Sequence, residues 1–213
     1  MIKEIEFKIF TENKGFKFSE NILVYTLLFS GLGIAFLSNQ YLSNITMENI
    51  GKGVGVFGCM LSIYFKITQG WKQKPLHGHL HKKLIFRSDY IIMDDLEFPL
   101  DDIKKIEFFI NDYFYKRESQ APGDFEPGRS NGVFNICELT LCNNQKIRVS
   151  FQLMYEEEFM KMRDLLIHYY SENKIHFLKL IEYLEIEEYE EIQDFKRTLS
   201  TTLHTATTEN SNI

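Results

Sequence analysis

The feature that most constrains this chain is an absence of charge. Residues 21–47 contain no Asp, Glu, Lys or Arg. Inside that stretch, residues 22–37 are apolar apart from the small hydroxyls of Thr26 and Ser30 and the phenol of Tyr25. A helix continued through Leu42 would be 21 residues long, close to the roughly 20 residues that cross a bilayer core. A second apolar stretch covers residues 50–67. Its only charges, Lys52 and Lys66, sit near its ends, where a long Lys stem can carry its ammonium to the head groups. The two stretches predict a transmembrane helical hairpin over residues 20–70, with spans at about 21–42 and 50–67.

The flanks suggest an orientation. The connection, residues 38–49, has no Lys or Arg, whereas Lys3, Lys8, Lys14 and Lys17 precede the hairpin and Lys66, Lys72, Lys74, Lys82 and Lys83 close or follow it. The positive-inside rule then puts both termini in the cytoplasm and the connection outside. This makes the chain an integral protein of an inner or plasma membrane. Trp71, the only Trp, follows the second span at interfacial depth. With Lys72, Lys74, Lys82 and Lys83 it forms a tract suited to anionic lipid, at about 1 kcal/mol per Lys. A buried hairpin in a soluble oligomer is the alternative. A cleaved signal peptide fits less well, because no small-residue cleavage pattern follows the first span.

Small residues recur within the spans. Gly51, Gly55, Cys59 and Ser62 lie three or four apart, as do Gly31 and Ala35. Such spacing lets helix backbones approach closely in lipid, where no hydrophobic force drives helices together. These residues are the expected helix-packing contact of the hairpin, or of a homodimer. Residues 53–58 also match G-x-G-x-x-G. That pattern binds dinucleotides only between a strand and a helix, with an acidic residue about 20 positions on. Here it lies inside an apolar stretch, so no cofactor is expected.

The net charge of −6 is unevenly distributed: +3 over residues 21–75, −2 over 76–152 and −7 over 153–213. A slightly negative mean hydropathy excludes many spans but not two. The acidic balance argues against nucleic acid as a partner. From residue 76 onward short strands are expected at 79–86, 90–93, 96–100, 103–115, 133–142 and 146–153. Asn143, Asn144 and Gln145 turn the last pair. Residues 117–132 hold two of the four Pro and three Gly and read as a long loop. An apolar stripe of Phe159, Met162, Leu165, Leu166 and Tyr169 follows acidic residues and predicts a helix. A second, acidic helix is expected over 174–200, interrupted near Glu185, with a flexible tail over 201–213. Ile5, Phe7 and Ile9 alternate with charged residues in the N-terminal segment, 1–19, and suit an extra strand or an interfacial segment.

Consecutive antiparallel strands closed by a helix resemble a pleckstrin-homology-like (PH-like) domain, here residues 76–173. With the hairpin in front, the chain resembles bacterial membrane proteins with such a cytoplasmic domain. The resemblance implies an α+β fold: a transmembrane hairpin, then an antiparallel PH-like β-barrel or sandwich with C-terminal helices. The basic residues that bind phosphoinositides in some members flank the first strand turn. Here that turn is the short Ser88 and Asp89, preceded by Lys82, Lys83 and Arg87.

Candidate chemistry is sparse. His77, His79 and His81 fall two apart, so in a strand their imidazoles share a face, yet a flat row is a poor tetrahedral metal site. Cys137 and Cys142 face opposite sides of one strand, and Cys59 lies in a span, so reduced thiols are expected. Asp94, Asp95, Glu97, Asp101 and Asp102 could serve acid–base chemistry but read as solvated turns. The partner surfaces expected are the long loop, with Phe125 and Arg129, and the acidic run Glu187, Glu188, Glu190 and Glu191. Together these features suggest a membrane-tethered, non-enzymatic interaction or regulatory module that meets the bilayer and a protein partner or second copy. A membrane-bound enzyme acting on a lipid or another membrane-proximal substrate is the second reading.

Overall fold

A computed structural model describes residues 3–15, 17–42 and 44–210; the side chains of Leu42 and of residues 200–210 lie outside that description. The architecture is α+β: two apolar helices near the N-terminus, a mostly antiparallel seven-stranded sheet, and C-terminal helices. The contacts divide into two compact units. One holds residues 12–79 and 113–132; the other holds 1–11, 80–112 and 133–213. The chain therefore passes from one unit to the other four times.

In the first unit, α1 (Glu20–Leu37) starts at Ser19, whose hydroxyl accepts from the Ile22 N–H at 3.2 Å. A π-helical turn, Ser38–Leu42, leads to Asn44. Its Oδ1 accepts from the Thr46 and Met47 N–H groups at 3.1 and 3.2 Å and starts α2 (Ile45–Thr68). These caps satisfy donors that a helix start leaves orphaned. The buried positions repeat every seven residues: Val24, Gly31 and Ser38 on the α1 side, Gly51, Gly58 and Phe65 on α2. That period keeps one seam of each helix facing the other.

At the middle of the seam the backbones themselves touch. A Cβ on Gly31 would stand 2.8 Å from the Gly55 Cα and 2.9 Å from the Gly51 carbonyl oxygen. A Cβ on Gly51 would stand 2.8 Å from the Gly31 oxygen. Ala35 closes the same contact, its backbone N 2.5 Å from that position. Cys59 is turned outward, while Gly58 packs on Leu27 and Leu28. Of the small residues singled out in the sequence, Gly31, Ala35, Gly51 and Gly55 meet in this backbone contact, Cys59 lines the groove beside it and Ser62 donates to the Cys59 oxygen within α2 at 2.8 Å; Gly58 shares the buried repeat of seven.

Both helices are long and apolar enough to cross a membrane, and only 17% of each apolar window is buried within the chain. Phe29, Leu32, Phe36, Phe57, Met60 and Ile63 all face outward.

The second unit is built on a sheet in the order β4-β3-β2-β1-β9-β8-β5. Its strands are β1 (Ile5–Glu12), β2 (Gly78–Phe86), β3 (Tyr90–Met93), β4 (Leu96–Pro99), β5 (Ile103–Phe109), β8 (Asn135–Leu141) and β9 (Lys146–Gln152). The intervening β6 (Phe114–Arg117) and β7 (Arg129–Asn131) pair with each other in the first unit. β1 occupies the middle of the large sheet, with Lys8 opposite Gln152 and Phe10 opposite Ser150 on β9. Of the two readings of the N-terminal segment, an extra strand or an interfacial segment, residues 5–12 take the first, because Phe7 and Ile9 are buried in the core. The strand expected over 103–115 breaks after Phe109, where the Asn135 side chain takes over the backbone. Its Oδ1 accepts from the Asn111 and Asp112 N–H groups at 3.0 and 2.9 Å, and its Nδ2 donates to the Asp112 oxygen at 2.8 Å.

Phe108 is the hub of the core, with ring centroids 5.6 Å from Phe86, 5.1 Å from Phe159 and 5.4 Å from Tyr183. A 3₁₀ segment (Glu156–Met162) leads into α3 (Arg163–Ser171); α4 (Phe177–Tyr183) and α5 (Tyr189–Asn210) follow. The break between α4 and α5 includes Glu185 at φ 54°, where the sequence suggested an interruption. Residues 201–210, expected as tail, continue α5, and residues 211–213 lie outside the description.

Because Gly31 meets backbone, Gly31→Val is expected to lower the stability of the protein by about 1–3 kcal/mol. Gly33 has open space at its Cβ, so Gly33→Ala should leave stability unchanged or raise it by up to about 1 kcal/mol. Thermal unfolding of the two variants separates these outcomes.

Candidate functional site

The most elaborate polar arrangement is a collar. Residues 113–132 leave the sheet, fold against the start of α1 and the end of α2, and return. The Ser19 hydroxyl donates to Glu126 Oε1 at 2.5 Å, and the Asn21 N–H donates to the same oxygen at 3.2 Å. A carboxylate therefore sits at the first turn of α1, where exposed N–H groups favour negative charge. Asn21 clasps the segment from both sides: its Nδ2 donates to Asp124 Oδ1 at 2.9 Å and its Oδ1 accepts from the Phe125 N–H at 2.7 Å. From α2, Lys66 Nζ donates to the Asp124 oxygen at 3.1 Å. The Gly128 N–H donates to the Gln69 oxygen at 2.8 Å.

Gly123 is required at its position. Its φ is +82°, and a Cβ there would stand 2.8 Å from the Tyr25 hydroxyl, which donates to the Gly123 oxygen at 2.9 Å. The Phe125 ring meets Tyr25 edge-on at 5.9 Å, and Tyr25 stacks on Phe29 at 6.2 Å. Burial works against ionisation of Asp124. Hydrogen bonds from Asn21 and the Glu126 N–H, with the charges of Lys66 and Lys74, outweigh it and hold the carboxyl below its ordinary value.

Arg129, expected to meet a partner, is used internally. Its Nε donates to the Gly70 oxygen at 2.7 Å, its Nη1 donates to the Tyr115 oxygen at 3.3 Å, and its guanidinium lies 5.0 Å from the Tyr115 ring. Phe125 is likewise packed within the unit. Glu187, Glu188, Glu190 and Glu191 stay exposed around the start of α5. In the basic tract, Lys72 pairs with Glu20 at 3.4 Å, Lys74 with Glu118, Lys82 with Asp94 and Lys83 with Glu6 at 3.1 Å. Each of these four ammonium groups has a carboxylate beside it. Trp71 is the open member of the tract, 73% exposed.

The histidines stay apart from any ligand cluster: among the described residues no three His, Cys, Asp or Glu side chains gather as metal ligands. The Asn13 amide lies 3.2 Å from His79 Nε2. Cys137 is fully buried in the sheet core, and burial, with Glu138 beside it, pushes its thiol well above the ordinary range. Cys142 Sγ donates to the Asp101 oxygen at 3.4 Å. Asp94 lies in the turn before β4 and Asp101 and Asp102 in a 3₁₀ turn after it, so the acidic residues of this region are divided.

Comparison with known proteins found no matching family model, no similar curated protein and no similar solved structure.

The meeting of Asn21 with Asp124 and Glu126 escaped the sequence reading, since Asn21 is over a hundred positions from either. Because the Asp124 carboxyl is depressed, its contribution to the collar is present above its ordinary value of 3.8 and is lost as pH falls through the lower folded value. Unfolding followed by Trp71 fluorescence should fall off in temperature below about pH 4. In Asp124→Asn that acid-dependent component should shrink, and the unfolding temperature should already be lowered at neutral pH.

Proposed function

We propose that the chain is an integral membrane protein, anchored by α1 and α2 with both termini cytoplasmic, whose sheet unit is a PH-like interaction or regulatory module without catalytic activity. The observation that carries this reading is the outward apolar surface of both helices, which no other part of the chain covers among the described residues. A bilayer satisfies that surface, and helices satisfy their own backbone polar groups, as spanning segments must. Orientation rests on Lys placement. The positive-inside rule counts Lys and Arg near the span ends and is little affected by acidic neighbours, so the ion pairs of the basic tract leave the argument standing.

The PH-like reading is supported by a mostly antiparallel sheet followed by packed helices. β1, supplied from before the hairpin, distinguishes this arrangement from a domain lying wholly after it. The partner surface proposed is the exposed acidic start of α5, in the zone of net −7, which suits a basic protein segment. A partner held there would be kept at the membrane by the hairpin.

Fractionation and thiol labelling test the reading. The protein should stay with membranes through an alkaline carbonate wash, and recovery in the soluble fraction would refute the anchor. In a Cys59→Ala background, a membrane-impermeant maleimide added to intact cells should label Asn39→Cys. It should reach the native exposed thiol of Cys142 only after lysis. The reverse pattern would invert the orientation.

A further inference from the structure

We propose that the tip of the collar, residues 121–125, inserts into the head-group layer of the bilayer and forms a third membrane contact beside the two helices. This rests on the membrane anchor proposed above. The tip lies alongside α1, not beyond its end: Phe125 and the Gly123 oxygen both meet Tyr25, more than one turn inside the helix. Tyr25 stacks on the outward-facing Phe29, so the loop shares its depth with side chains that face lipid in the anchored protein.

The chemistry of the tip suits a layer poor in water. Ala121, Pro122 and Gly123 are exposed and uncharged. Pro122 has no N–H to satisfy. The Ala121 oxygen accepts from the Asp124 N–H at 3.1 Å, the Gly123 oxygen from Tyr25, and the Asp124 oxygen from Lys66. Both nearby carboxylates are turned inward, Asp124 to Asn21 and Glu126 to Ser19. Irregular backbone at membrane depth is tolerated where its polar groups are met within the protein. Around the same helix ends, Tyr64, Trp71 and Tyr115 are also exposed, an aromatic group of the kind enriched at membrane interfaces.

The single native Trp makes a direct test possible. In a Trp71→Phe background, Ala121→Trp is reconstituted in phosphatidylcholine vesicles whose acyl chains carry bromine, a contact quencher of Trp fluorescence. Phe57→Trp reports the span and Leu96→Trp, on exposed β4, reports the sheet unit. Interfacial insertion should quench Ala121→Trp at least about twofold more than Leu96→Trp. Pro122→Trp should behave as Ala121→Trp does, guarding against a local distortion by either change. Quenching of Phe57→Trp with none at either loop position overturns the inference and leaves the anchor intact. Absence of quenching at all four positions overturns both.

Discussion

The arrangement of this protein depends on one long-range helix cap. Glu126 lies over a hundred residues from the helix it serves, yet its carboxylate meets the first turn of α1. A helix start has orphaned N–H donors and partial positive charge, and an apolar helix has few side chains to offer them. Ser19 supplies one local acceptor; the collar supplies the other. In doing so it holds the connection between β6 and β7 at the start of α1, and ties α2 to the same segment through Lys66 and Gln69. Glu20, in the same turn, takes Lys72, although its Oε2 is buried without a hydrogen-bond partner.

Beyond the collar the helix pair is held by shape. Gly31 and Gly51 place backbone against backbone, which maximises dispersion contact between the helices. The buried repeat of seven runs the length of the pair. It ends at Phe65, whose ring lies 4.8 Å from the Lys72 ammonium. The two units are stabilised by different physics. One relies on close backbone approach and a satisfied polar belt, the other on an aromatic core around Phe108 with Tyr169 donating to the Arg87 oxygen at 2.6 Å.

Local patterns were legible in the sequence. The charge-free run marked α1, the alternation of residues 147–151 marked β9, and the spacing of Gly31, Gly51 and Gly55 marked residues that meet between α1 and α2. The position of β1 within the sheet was not legible, since pairing across the hairpin leaves no trace in periodicity. The collar was hidden for the same reason. Pro and Gly announced a loop, but nothing in its composition says which helix end its carboxylates will find. The basic tract was visible as cations only; the carboxylates that neutralise Lys83 and Lys72 come from residues 6 and 20, on the far side of the hairpin. Sequence reading sees a charge, and only the fold shows its partner.

The central place of β1 has a consequence for biosynthesis. β1 is synthesised before the other strands of the sheet, but its neighbour β9 is synthesised last among them: Lys8 faces Gln152. At roughly 5–20 residues per second, the intervening chain takes on the order of ten seconds to make. Throughout that interval one hydrogen-bonding edge of β1 waits open while the apolar helices are already emerging. The chain must therefore hold its first strand in reserve, and a nascent protein arrested before residue 146 would present an uncompleted sheet with that edge unpaired.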